Sequence, residues 1–139
     1  MRERLQLRQE IDLQTATIRC RQFAAKVGME EILIQKLATA TSELTRNVYK
    51  YANCQGWVEF TYHQDLSGSY VQVDVVDRGP GIADVEQAMA DHYSTSGTLG
   101  LGLPGVQRLV DSLEINSSAE EGTHVTIRMQ CICQSRGLL

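Results

Sequence analysis

The sequence is short of several features that define other classes of protein. It has no apolar run approaching the roughly 18 residues of a membrane-spanning helix. The segment Met1 to Leu5 mixes charges and lacks the apolar stretch of a signal peptide. The Gly-x-x-x-x-Gly-Lys-Ser/Thr pattern of phosphate-binding P-loops is also missing. These absences lead us to expect a cytoplasmic protein without that type of nucleotide site.

Positive charge is also scarce. Lys and Arg number 13 against 17 Asp and Glu, which gives a net charge of -4. This balance argues against a nucleic-acid binder that neutralises phosphates. With 42% hydrophobic and 22% charged residues in 139 positions, the composition is that of an ordinary globular protein. We expect one domain spanning residues 1–139.

The four cysteines form no Cys-x-x-Cys pair, and no histidine stands at zinc-ligand spacing from any of them. Cys20 falls on a predicted helix and Cys54 in a loop. Cys131 and Cys133 are two positions apart, so on a strand they would share a face. A metal or redox role for that pair stays open, although buried or idle thiols are the favoured interpretation.

Hydrophobic periodicity predicts an α+β fold. Asp12 is the expected N-cap of the first helix, and Gly28 its stop. The predicted elements, in chain order, are a strand Arg4–Ile11, a helix Leu13–Val27, a helix from about Glu30 to Tyr51, strands Trp57–His63 and Tyr70–Val76, a short helix Asp84–Asp91, a helix from Pro104 or Gly105 to Leu113, and strands Leu113–Ser117 and Thr123–Cys131. Strands and helices do not alternate strictly. We therefore expect a two-layer sandwich with a mixed, mostly antiparallel sheet and helices on one face.

The second predicted helix carries a strip of polar residues. Glu43 and Asn47 are four positions apart and project from one helix face, with Lys50 three positions further on. A carboxylate, an amide oxygen and an ammonium in one line suit a hydroxyl, a Mg²⁺ ion and a phosphate. Taken alone, the strip is better explained as a solvated helix edge.

Asp77-Arg-Gly-Pro-Gly81 follows an apolar strand directly. An aspartate at a strand end can accept a hydrogen bond from an exocyclic amine, and neighbouring glycines let the backbone approach a flat ring. The same residues are typical of a tight turn, which is the simpler explanation of this motif alone.

Two further glycine-containing segments complete the pattern. Gly97 to Gly105 opens a helix, where backbone N–H groups can bind anions, and its glycines favour a mobile lid over a packed segment. Gly122-Thr123 stands between a turn and the last strand, and turn formation by itself explains it.

Together and in this order, the four motifs resemble those of the GHKL ATPase superfamily, whose Bergerat fold is shared by histidine kinases, gyrase, Hsp90 and MutL. Glu43-x-x-x-Asn47 is similar to the N box, and Asp77-x-Gly79-x-Gly81 to the G1 box. Gly100-Leu-Gly102-Leu103 is similar to the G2 box, and Gly122-Thr123 to the last glycine motif. The resemblance spans nearly the whole chain.

Within the superfamily, the chain most resembles the stand-alone anti-sigma-factor serine kinases. Histidine kinases carry a helical hairpin with a phosphoacceptor histidine, for which we see no room, and an asparagine where this chain has Glu43. The segments Ser42 to Ala52, Tyr93 to Gly97 and Gly100 to Leu109 are similar to the switch kinases of the bacterial stressosome (the RsbT type). Sigma-binding relatives usually have a longer, charged lid.

The resemblance implies roles for individual residues. Glu43 would be the catalytic base, and Asn47 would hold Mg²⁺. Lys50 would approach a phosphate, and Asp77 would accept from the adenine amine. The remaining residues implied in ATP binding are Gly79, Gly81, Ile82, Gly97, Thr98, Leu99, Gly100, Leu101, Gly102, Leu103 and Thr123.

The implied activity is transfer of the ATP γ-phosphate to a serine of a STAS-domain antagonist, with a PP2C-type phosphatase as a further partner. A nucleotide-gated anti-sigma factor and an ATP-binding adaptor without transfer activity are the alternatives. Intact Glu43 and Asn47 argue against the adaptor, and the Leu-Pro-Gly-Val continuation after Gly102 argues against the sigma binder.

Overall fold

A computed structural model describes residues 1–51, 56–78, 102–118 and 122–132, except the side chains of Tyr51 and Ser118. The elements are β1 (Arg2–Leu7), α1 (Ile11–Lys26), α2 (Glu31–Tyr51), β2 (Gly56–Asp65), β3 (Gly68–Asp77), α3 (Gly102–Leu109), β4 (Ser112–Ser118) and β5 (Gly122–Gln130). Among the described helices, none is long and apolar enough to cross a membrane.

The five described strands form one sheet in the order β1-β2-β3-β5-β4. Each neighbouring pair is antiparallel, so the α+β, two-layer prediction is confirmed, and no parallel pair occurs among these strands. The long central strand β3 pairs with β2 on one side and with β5 on the other. The C-terminal end of β3 is therefore flanked by a paired strand on each side.

One face of the sheet is apolar because hydrophobic residues alternate along each strand with a period of two. On β3, Val71, Val73 and Val75 are almost completely buried. Val73 lies between Phe60 on β2 and Ile127 on β5 in the strand register. This inner face packs against α1 and α2, and the apolar area removed from water stabilises the two-layer fold.

Helix α2 buries one face against the sheet, including Leu37, Leu44 and Val48. Both of its buried threonine hydroxyls have hydrogen-bond partners. The Thr45 hydroxyl donates to the Thr41 carbonyl at 3.0 Å. The Thr41 hydroxyl lies 3.5 Å from the Cys20 sulfur on α1. Burial raises the pKa of the Cys20 thiol to about 11, so it stays protonated and unreactive at neutral pH.

Cys131 is also a buried free thiol, just beyond the end of β5. Idle thiols are thus found at two of the four cysteine positions. Cys54 and Cys133 lie outside the described residues, and so does the predicted helix Asp84–Asp91.

The predicted boundary between the first strand and helix is wrong. Strand β1 ends at Leu7, and α1 already begins at Ile11, whose side chain is 56% exposed. Asp12 is not the N-cap but lies in the first helical turn. Its carboxylate accepts the backbone N–H groups of Arg8 at 2.7 Å and Gln9 at 3.0 Å, which fixes the turn from strand into helix.

The last predicted helix is displaced as well. Helix α3 begins at Gly102 and ends at Leu109, rather than running from Pro104 or Gly105 to Leu113. Its Leu103 and Val106 side chains are buried. The chain leaves the helix early because β4 begins at Ser112, where Leu113 pairs with Ile127 of β5.

The outer face of the sheet carries a polar network centred on Asp74. One carboxylate oxygen accepts from the Thr126 hydroxyl at 2.8 Å and lies 2.9 Å from His124 Nε2, and the other accepts from Gln72 at 2.9 Å. Burial opposes ionisation of Asp74. The hydrogen bonds from Gln72, His124 and Thr126 outweigh that effect and hold the pKa of this carboxyl below its usual value.

A group whose pKa is lowered by folding stabilises the folded state above its unfolded pKa and loses that contribution as the pH falls. We therefore expect wild-type protein to lose more unfolding free energy than Asp74→Asn between about pH 5 and pH 2. Urea unfolding of both proteins across this range measures the difference. Parallel curves for the two proteins would show that these hydrogen bonds do not stabilise the ionised carboxylate.

Candidate functional site

Four residues form a row across one end of the sheet. In the strand register Gly56 of β2 pairs with Asp77 of β3, Asp77 pairs with Thr123 of β5, and Thr123 pairs with Ser117 of β4. Asp77 is an even number of residues from Val75, so it belongs to the same inner face. A carboxylate and two hydroxyls therefore border the apolar layer between sheet and helices.

Two glycines allow the backbones of the neighbouring strands to lie close to β3 in this row. A Cβ atom on Gly122 would lie 2.2 Å from the Asp77 carbonyl oxygen, and one on Gly56 would lie 2.2 Å from the Val76 carbonyl oxygen. Gly122 also has a φ of +83°, which L side chains rarely adopt. The backbones on both sides of Asp77 thus approach more closely than any other residue type permits.

The hydrogen bonds of the row set the direction of the Asp77 carboxylate. The Thr123 backbone N–H donates to Asp77 Oδ1 at 3.2 Å, and the Thr123 hydroxyl lies 2.9 Å from the Ser117 hydroxyl. An ionised carboxylate only accepts, whereas a hydroxyl donates once and accepts twice. An acceptor beside a hydroxyl matches a planar ligand edge with an amine next to a ring nitrogen.

The predicted polar strip on α2 lies between the buried and the exposed faces of that helix. Glu43 and Asn47 are partly buried, and the Glu43 side chain is 13% exposed. Arg46 Nη1 lies 3.8 Å from Glu43 Oε1, and Arg46 itself is 51% exposed. Lys50 is partly buried in the last turn. Because both residues lie in α2, the i, i+4 spacing places the carboxylate and the amide on one helix face.

Packing connects α2 to the row. A Cβ atom on Gly56 would lie 3.0 Å from Val48 Cγ1 and 3.1 Å from Asp77 Cα. Val48 is the residue after Asn47, so the C-terminal half of α2 rests against the end of the sheet that carries Asp77. Helix α2 therefore presents its polar strip at the same end of the molecule as the row.

Helix α3 packs against α2. Gly102 opens the helix with a φ of +66°, and the buried Leu103 anchors the first turn. We predicted these two residues in a lid segment before the helix, and that part of the prediction is wrong because both belong to α3. Only their backbone N–H groups can face a ligand, at the positive end of the helix.

The described residues include no cluster of three or more His, Cys, Asp or Glu side chains able to hold a metal. Asn47 offers one amide oxygen and Glu43 a nearby carboxylate. Mg²⁺ binds oxygen ligands and usually retains water and substrate phosphate oxygens. This donor set fits a Mg²⁺ that arrives with a polyphosphate, and it does not form a complete protein cage.

The other predicted ligand-binding residues lie outside the described parts of the chain: Gly79, Gly81, Ile82, Gly97, Thr98, Leu99, Gly100 and Leu101. Two residues of the row were missed by sequence reasoning. Ser117 is found only when β4 and β5 are put in register, six positions before Thr123. Gly56 was missed because the reason for a glycine there is its close contact with Val48 of α2 and Asp77 of β3. These two residues come together only in the folded chain.

Comparison with known proteins identifies the family of the chain. A family model for the histidine kinase-like ATPase domain matches residues 6–129. The serine/threonine-protein kinase RsbT of Bacillus subtilis is 40% identical over 116 residues, which are 84% of this chain and 86% of that protein. An anti-sigma F factor of a Thermoanaerobacter species is 32% identical over 108 residues, 74% of each chain.

Solved structures give the same fold. The RsbU and RsbW domains of Rv1364c from Mycobacterium tuberculosis superpose with a TM-score of 0.69 at 19% identity, covering 100% of this chain and 35% of that one. At this sequence identity, the structural similarity is evidence for the fold alone. The chain belongs to the histidine kinase-like ATPase domain family, uses ATP, and is an enzyme of the family's serine/threonine-protein kinase type.

Proposed function

We propose that this kinase transfers the γ-phosphate of ATP to a serine of a STAS-domain antagonist protein and so switches partners in a bacterial stress or sigma-factor pathway. The observation that carries the proposal is the Asp77–Thr123 pair at the end of the apolar inner face. It supplies an acceptor and a hydroxyl for an adenine edge, beside a helix that carries Glu43 and Asn47.

The proposal divides the site by role. Asp77 accepts from the adenine amine and Thr123 reaches the neighbouring part of the base. Asn47 would hold Mg²⁺, which would supply positive charge to the phosphates, and Lys50 would approach a phosphate. The buried apolar side chains of the inner face next to Asp77 exclude water and so strengthen its hydrogen bonds. The protein acts in the cytoplasm as a single domain, with ATP and Mg²⁺ as its cofactors.

Glu43 is the proposed general base. The incoming serine hydroxyl transfers its proton to the Glu43 carboxylate while its oxygen bonds to the γ-phosphorus, and the bond from that phosphorus to the bridging oxygen of ADP breaks. The low exposure of Glu43 and its distance of 3.8 Å from Arg46 fit a carboxylate held in one orientation. Phosphoryl transfer depends mainly on such positioning and on charge neutralisation.

A second candidate is an anti-sigma factor that sequesters a sigma subunit in a nucleotide-dependent way. The similarity to an anti-sigma F factor favours it. The higher identity and coverage of the match to a serine/threonine-protein kinase favour the first candidate, in which the kinase released by phosphorylation also activates a PP2C-type phosphatase.

Replacing the proposed base separates binding from chemistry. We expect Glu43→Gln to bind ATP with nearly wild-type affinity and to lose about 100-fold or more of its transfer rate to a STAS substrate, because general-base catalysis contributes this much. Radiolabelled phosphate transfer and calorimetry measure the two quantities. Glu31→Gln, about 18 Å away along the same helix, is the control and should behave as wild type. Wild-type transfer by Glu43→Gln would refute the assignment.

Replacing the proposed adenine acceptor should affect binding itself. Asp77→Asn turns part of the acceptor into a donor facing the amine, and we expect it to weaken ATP affinity about tenfold or more. Asp74→Asn is the matched control, since this residue of β3 lies on the outer face. Equal ATP affinities of wild type and Asp77→Asn in calorimetry would exclude Asp77 from the adenine site.

Partner capture discriminates the two candidate functions. We expect the tagged protein to retain purified STAS-domain antagonist in the presence of ADP and to release it after phosphorylation with ATP and Mg²⁺. Size-exclusion chromatography of defined mixtures measures both complexes. A stable ATP-dependent complex with a purified sigma subunit, and none with the antagonist, would favour the anti-sigma factor.

A further inference from the structure

We propose that Ser117 is a positioning residue that makes the site selective for the adenine edge, by donating its hydroxyl proton to Thr123 and thereby directing the Thr123 proton toward the base. The inference rests on the proposed function and goes beyond it in assigning Ser117. It concerns a residue that neither the motifs nor the mechanism above uses.

The geometry that supports this role is a direct cross-strand pair. Ser117 on the edge strand β4 lies opposite Thr123 in the register, and their hydroxyl oxygens are 2.9 Å apart. Thr123 is only 7% exposed, and its backbone N–H is already used by Asp77 at 3.2 Å. The hydroxyl is therefore the part of Thr123 that remains to recognise a ligand.

The number of protons decides what Thr123 can offer. A threonine hydroxyl has one proton, so it cannot donate to Ser117 and to a ligand at once. When Ser117 donates to Thr123, the Thr123 proton becomes available to an acceptor such as adenine N1. When Thr123 donates to Ser117, it offers the ligand only lone pairs. Ser117 thus decides whether the site presents a donor.

The required polarity follows from the neighbouring carboxylate. Asp77 accepts and matches the 6-amino group of adenine, and the next ring position, N1, is an acceptor that needs a donor. Hypoxanthine reverses both groups, with an oxygen at position 6 and an N–H at position 1. An acceptor followed by a fixed donor therefore fits adenine and opposes the 6-oxopurines, because each mismatched polar group would be left without a partner.

The alternative is that the Ser117–Thr123 contact only stabilises the sheet. Cross-strand hydroxyl pairs contribute to strand pairing in many proteins. A purely structural contact would affect every nucleotide equally and would appear as a loss of thermal stability. Selectivity between bases is a readout that such a contact does not change.

The experiment measures binding by calorimetry in wild type, Ser117→Ala and Ser117→Thr, with ATP, inosine triphosphate and 1-deaza-ATP, which lacks the N1 acceptor. We expect Ser117→Ala to weaken ATP binding about three- to tenfold, the range of one neutral hydrogen bond. Binding of 1-deaza-ATP should stay as in wild type, and inosine triphosphate should bind as tightly as in wild type or more tightly, because the released Thr123 hydroxyl can accept from its N1–H. Ser117→Thr should restore ATP affinity because it restores the hydroxyl.

Two controls complete the design. Ser112→Ala removes an exposed hydroxyl from the same strand and should leave all three affinities unchanged. Ser117→Ala combined with Thr123→Val should bind ATP no more weakly than Thr123→Val alone, because Ser117 acts through Thr123. Melting temperatures of all variants show whether the fold is retained.

The outcomes separate this inference from the proposed function. Equal losses for ATP, inosine triphosphate and 1-deaza-ATP in Ser117→Ala would show a structural contact and overturn the inference. The inference would also be overturned if Ser117→Ala bound ATP with wild-type affinity while Asp77→Asn bound it more weakly. In that case the proposed adenine site would remain supported. If Asp77→Asn also binds ATP as wild type does, the base lies elsewhere and both assignments fail.

Discussion

The alternation of side chains along β3 is the constraint on which the rest of the structure depends. Val71, Val73 and Val75 point into the layer between sheet and helices, and this burial fixes the register of β3 against both of its neighbours. Two residues later, the same alternation brings Asp77 to the border of that layer. A shift of one residue would place the carboxylate on the outer face and remove it from Thr123.

The same constraint separates the two aspartates of β3 into different tasks. Asp74 is three residues before Asp77 and therefore faces outward. Its hydrogen bond from Thr126 links β3 to β5, and its hydrogen bond from Gln72 lies within β3. Asp77 faces inward, and a backbone N–H from the neighbouring strand orients it. One residue type on one strand thus serves stability at Asp74 and, in our proposal, ligand recognition at Asp77, because the two side chains differ in their hydrogen-bond partners.

Close packing around Asp77 has a functional consequence. Gly56 and Gly122 let the flanking strands approach the backbone of Val76 and Asp77, and Gly56 also lies against Val48 of α2. The row and the helix with Glu43 are therefore packed against each other at this end of the sheet. In phosphoryl transfer, where positioning supplies much of the catalysis, this packing supports the proposal that Glu43 is held in a defined position relative to the nucleotide.

Local sequence patterns determined most elements of this protein. The alternation of Val71 to Val75 and the helical spacing of Leu37, Leu44 and Val48 were sufficient for the strand and helix predictions, because burial of one face decides both. The predicted end of β1 was wrong because Ile11 fits the alternating pattern of buried residues, whereas its side chain is exposed. The early start of α3 was missed because glycine has a low intrinsic helix propensity.

The candidate site divides in the same way. The sequence by itself determined Glu43 and Asn47 as neighbours, because four residues make about one helical turn. It also placed Asp77 and Thr123 at strand boundaries. Only the tertiary structure decided that Asp77, Thr123 and Ser117 share one row, and that Val48 rests beside it. The physical reason is that contacts between strands depend on register and on burial of the whole inner face, which no local pattern specifies.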